Sequence, residues 1–121
     1  MKNILFLLLL VLSVVSCNKA DQSNIVGNWK MTRMTIGDTD APAYFIYEIY
    51  YQLDTGGTGL YKEDTYTDTL TWSLDEANQK LYLMKSSGNL EFKIKSVTNT
   101  TLIMTGQESG VGEIEVEFEK Q

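Results

Sequence analysis

Beyond residue 24 the chain alternates between apolar and polar positions. Leu90, Phe92 and Ile94 share one parity, with Glu91, Lys93 and Lys95 on the other. Ile114, Val116 and Phe118 likewise alternate with Glu113, Glu115, Glu117 and Glu119. A period of two puts one set on each face of a strand, one dry and one wet. No stretch of this part shows a sustained helical period. Segments bounded by turn residues predict strands near 25–36, 44–53, 58–62, 66–75, 79–85, 89–96, 100–106 and 112–119. Turn chemistry separates them at Gly56-Gly57-Thr58-Gly59, Asp75 to Asn78, Ser86 to Asn89, Thr98-Asn99 and Ser109 to Gly112. Pro42, the single proline, falls in the longest connection, 37–43, where its missing N–H costs no ladder bond. Eight short strands joined by tight turns predict an all-β domain, an up-and-down antiparallel barrel or a sandwich.

The first residues follow a different pattern. Lys2 supplies a charge, residues 4–12 are all apolar, and Ser13 to Cys17 follow. That run is far shorter than the roughly 20 residues a spanning helix needs. A charged start, an apolar core and small residues before a break describe a cleavable export signal. Val14-Val15-Ser16-Cys17 resembles the lipobox of bacterial lipoproteins. The resemblance implies that residues 1–16 are removed and that the Cys17 thiol carries a diacylglycerol, making the membrane a partner. Asn18 is not the aspartate linked to inner-membrane retention, so the expected location is the cell envelope at the outer membrane. Residues 17–24 then read as a lipidated polar tether and residues 25–121 as the folded domain.

Composition narrows the chemistry. The chain has 121 residues, a net charge of −6, no histidine and one cysteine. Its length supports one core. Zero His removes the commonest general base and the commonest metal ligand, and one Cys rules out an internal disulfide. An acidic balance argues against nucleic acid, whose phosphates demand a basic face. Serines and threonines lack a histidine to activate them, and no carboxylate spacing stands out. Neither an enzyme nor a cofactor or metal is expected.

Ile25-Val26-Gly27-Asn28-Trp29 resembles the Gly-x-Trp opening of lipocalin-type barrels. The order of parts from there is similar to the small lipocalin-like lipoproteins of Bacteroidota. These parts are the Gly-rich hairpin 53–59, Thr71-Trp72-Ser73-Leu74, and the late segment 94–104. The resemblance implies an eight-stranded lipocalin-like barrel with a cavity, Gly27 and Trp29 being structural. It also implies a basic residue late in the chain packed across the tryptophan. Lys120 is the one available.

Several residues invite a functional reading beside a plainer one. Asp38 and Asp40 resemble part of a calcium loop, but 41–44 supplies no further ligand, so turn acids are the better reading. Gly56-Gly57-Thr58-Gly59 is a hairpin and no phosphate cradle, since no helix follows. The four late glutamates read as a solvated outer face. Asp68-Thr69-Leu70 resembles a short O-glycosylation acceptor, beside which an ordinary outward Thr69 is the plain reading. In the aromatic run 44–53, Phe45, Tyr47 and Tyr51 share one parity and are expected inside. Tyr hydroxyls there bond either backbone or a ligand. Arg33, the single arginine, shares parity with Trp29 and Met31, which the resemblance turns inward. A bulge or strand end would put it in water at the rim instead. The expected function is binding of a small apolar or amphipathic ligand among Arg33, Phe45, Tyr47, Tyr51 and Trp72, with the ligand's anion at Arg33. The alternative is a protein-interaction module whose barrel is filled by its own side chains.

Overall fold

The computed structural model describes residues 19–37, 39–40, 48–108 and 112–121. The export segment, Cys17, Asp38, Pro42, Phe45 and Tyr47 lie outside them. A short helix α1 (Gln22–Ile25) precedes β1 (Gly27–Ile36), β2 (Thr39–Asp40), β3 (Ile49–Leu53), β4 (Thr58–Glu63) and β5 (Tyr66–Asp75). Then come β6 (Lys80–Lys85), β7 (Gly88–Val97), β8 (Thr101–Glu108) and β9 (Gly112–Lys120). From β3 to β9 each strand lies antiparallel beside its successor, and β1 pairs with β3 on one side and β9 on the other. That second pairing closes an eight-stranded ring and decides for the barrel over the sandwich. The two-residue β2 folds back on β1, so part of the expected loop 37–43 is paired.

Alternation puts the apolar parity inside. The buried set includes Leu70 and Trp72 of β5, Leu81 and Leu83 of β6, Phe92 and Ile94 of β7, and Val116 and Phe118 of β9. The late glutamates face out as expected, and Glu115 takes an ion pair from Lys95 at 2.6 Å.

One end of the barrel, the floor, is plugged. Trp29 is fully buried, and its indole N–H donates to the Ile25 carbonyl at 2.9 Å. The Lys120 ammonium stands 5.1 Å from the Trp29 ring centre, supplying the expected basic brace. Gly27 makes room for it. A Cβ there would lie 2.6 Å from Lys120 Cε, on a backbone with φ of +153° that side-chain-bearing residues rarely adopt. Gly59 is required for another reason: its Cβ would sit 2.0 Å from the Gln52 carbonyl on the paired strand.

The expected tether is shorter than the polar run suggested. Asp21 caps α1 by accepting from the Ser23 and Asn24 amides, and its own amide donates to the Asn24 side-chain oxygen. Hydroxyl and amide donors from Ser23 and Asn24 hold the Asp21 carboxyl below its ordinary range. Ala20 and Ile25 are buried against the floor. Gln79 clamps Ala20 from both sides, accepting its amide at 2.9 Å and donating to its carbonyl at 3.1 Å. A composition reading misses this because two small apolar contacts and one clamp suffice to dock a polar segment.

Candidate functional site: a cavity in the open half of the barrel

The floor half and the mouth half of the interior differ. Around Trp29, Leu53, Leu83, Leu102, Met104 and Phe118 only about 10 Å³ is free. Toward the mouth a cavity of about 690 Å³ opens. Ile49, Tyr51 and Tyr61 form one wall and Met31, Met34 and Ile114 another.

A β-bulge between Met31 and Arg33 shapes that second wall. The extra residue reverses parity along β1, so Met34 pairs with Val116 and Ile36 with Ile114, on the inner face. Arg33 turns outward. Its side chain is 60% exposed and its Nε donates to Asp40 at 2.9 Å. The placement of a cation inside at Arg33 is therefore corrected: the bulge the plainer reading named puts it in water.

The cation nearest the cavity's tyrosines is Lys85, half-buried at the mouth end of β6. Leu81, Leu83 and Lys85 share the inward parity of β6, and the Lys85 ammonium lies 3.8 Å from the Tyr61 ring centre and 5.9 Å from that of Tyr51. Those contacts are cation–π, with the charge over an electron-rich face. Burial lowers the Lys85 pKa, and the charges of Asp68 and Glu63 oppose that shift. Tyr51 and Tyr61 sit 5.1 Å apart, tilted at 54°. Burial pushes both hydroxyls well above the ordinary tyrosine range. The Tyr61 hydroxyl donates to Glu63 at 2.6 Å. Among the described residues, the Tyr51 hydroxyl has no hydrogen-bond partner, which leaves it available at the cavity wall.

A family model for a lipocalin-like domain matches residues 25–104. The chain belongs to that lipocalin-like family. No relative among curated proteins matches it. The fold of this lipocalin-like barrel is similar to a solved structure described as a de novo designed fluorescence-activating β-barrel, with a TM-score of 0.58 at 12% identity. That likeness covers 83% of this chain and 96% of the design.

Of the residues expected at the lipocalin-like barrel's site, Tyr51 lines the cavity. Trp72 does not. It is buried lower down, where its indole N–H is shared between the Asp54 and Thr58 carbonyls at 3.0 Å each, tying the β3–β4 hairpin to β5. Phe45 and Tyr47 lie outside the described residues. Tyr61, Lys85 and Met34 were missed: Tyr61 and Met34 line the cavity, and Lys85 stands against the Tyr61 ring without lining it. Inward parity in Gly59-x-Tyr61 and Leu81-x-Leu83-x-Lys85 carries a readable signal for the first two. Met34 is hidden by the bulge. Among the described residues no cluster of three metal-ligating side chains occurs.

Proposed function

We propose that this protein is a lipid-anchored envelope protein that binds a small apolar or amphipathic ligand in the mouth half of its barrel, without catalysing a reaction. The observation that carries this reading is the cavity of about 690 Å³ with a mostly apolar lining. Ligand pockets typically run from about 300 to 1,000 Å³ with a few placed polar groups. The Tyr51 hydroxyl is such a group. Met31 and Met34 suit a ligand of variable outline, because unbranched thioether chains adapt their shape. The open cavity weighs against a barrel filled by its own side chains. Export, acylation of Cys17 and outer-membrane residence rest on the Lys2 to Cys17 pattern alone.

Two measurements test the reading. Native mass spectrometry of the mature protein from its own host is expected to show a retained mass that denaturation releases. Nile red is expected to brighten on the purified protein. A bare polypeptide mass together with a dark dye overturns ligand binding. For the anchor, Cys17→Ala is expected to abolish partition into detergent, and unchanged partition overturns acylation.

A further inference from the structure

The ladder between β7 and β8 stops short of the mouth. Its register runs Val97↔Leu102, Ser96↔Ile103, Ile94↔Met104 and Lys93↔Thr105, and ends there. Both strands continue, β7 back to Gly88 and β8 on to Glu108. β7 stays bonded to β6 as far as Lys85↔Gly88, while β8 stays bonded to β9 as far as Glu108↔Gly112. The two strands thus follow different neighbours and part toward the mouth. A notch results in the barrel wall, and Asn89, Glu91, Lys93, Thr105 and Gln107 along it also line the cavity. At its apex Phe92 lies across Gly106, where a Cβ would come within 3.1 Å of the ring.

We infer that this notch is a headgroup subsite, taking the polar head of an amphipathic ligand whose apolar chain fills the cavity. The inference rests on the ligand-binding reading above and adds where the head sits. Above Lys93↔Thr105 the facing strand edges have no ladder partner, so backbone donors and acceptors border an opening into an apolar space. Side chains there offer both charge signs. Lys80 and Glu91 pair at 3.3 Å on the outer rim, Lys93 makes no ion pair among the described residues, and the outward-facing Glu113 borders the opening. A rim of mixed sign and neutral amides suits a zwitterionic head better than a lone strong charge. The walls behind it, Phe92, Ile114 and Val116, suit an alkyl chain.

A reversible bridge tests this. Continuing the register past Lys93↔Thr105 would set residues 91 and 107 opposite each other on the outer face. E91C/Q107C is made in the full chain carrying Cys17→Ser, so that only the new pair can bridge. Lauroyl lysophosphatidylcholine, below its micelle concentration, is titrated calorimetrically into oxidised and reduced protein. Closing the notch is expected to weaken binding by at least about tenfold, the equivalent of one lost hydrogen bond to a charged group, with recovery on reduction. Equal affinity in both states overturns the subsite and leaves the cavity reading standing. Absence of binding in both states overturns the two together. If the bridge does not form, Gln107→Trp fills the notch with bulk instead, and full affinity in that variant overturns the subsite.

Discussion

The two halves of this barrel share strands and alternation but not purpose. In the floor half Trp29, Leu83, Leu102 and Phe118 interlock, and α1 covers the end. In the mouth half the same strands enclose open space and two buried tyrosines, with the half-buried Lys85 over the Tyr61 ring. The difference lies in what completes each layer. Below, large side chains from every direction meet; above, a bulge on β1 and an unfinished β7–β8 ladder hold the walls apart. Stability concentrates at the floor, and the capacity to accept something foreign concentrates at the mouth.

The largest expected effect comes from unplugging the floor. Trp29→Ala is expected to cost about 3–5 kcal/mol, read as a fall in ΔG from denaturant unfolding, because a fully buried indole leaves a cavity that cannot collapse. A loss below about 1 kcal/mol would place that residue outside the plug. Gly59→Ala attacks the same half through the backbone: with a Cβ 2.0 Å from the Gln52 carbonyl, β3 and β4 must separate. About 1–3 kcal/mol is expected, in the range for overpacked sites, and checked by the shift in Tm. Met34→Ala probes the mouth half. It borders space that is already empty, so its cost is expected at or below the lower end of the roughly 2–5 kcal/mol range for core Met→Ala changes. Equal losses for Met34→Ala and Trp29→Ala would erase the contrast between the halves.

Two smaller effects sharpen it. Tyr51 and Tyr61 keep their protons to higher pH when folded than when unfolded. Their contribution is therefore complete below the ordinary tyrosine range, near 10, and is lost as pH climbs above it. Stability measured against pH should decline there, and Y51F/Y61F should flatten that decline. Arg33→Ala is expected to change neither the unfolding midpoint nor Nile red binding, since its guanidinium is in water on an exposed aspartate.

The strands were legible because each carries its own alternation, from Leu90-x-Phe92-x-Ile94 to the glutamate-spaced β9. Their ends fall within a few residues of the turn signals. The floor was legible too, through Gly27, Trp29 and Lys120. The site was not, except for Tyr51. A bulge inserts one residue and leaves no compositional mark, yet it exchanged Arg33 for Met34 on the inner wall. The end of the β7–β8 ladder is likewise invisible in sequence, since Gly88 to Phe92 alternate as a paired strand would. Lys85 was readable by parity, but a lysine at a strand's end invites the assumption that it faces water.

The Gln79 clamp on Ala20 also sets a direction. From Cys17 to Ala20 the chain can reach only about 10 Å, at roughly 3.5 Å per residue. With the lipid anchor proposed above, the barrel would be held like a buoy on a short chain, with α1 and the floor turned down toward the lipid surface. Under that anchor the cavity would open on the far side, toward the aqueous compartment, and the proposed ligand would be exchanged with what diffuses past and not with the bilayer beneath.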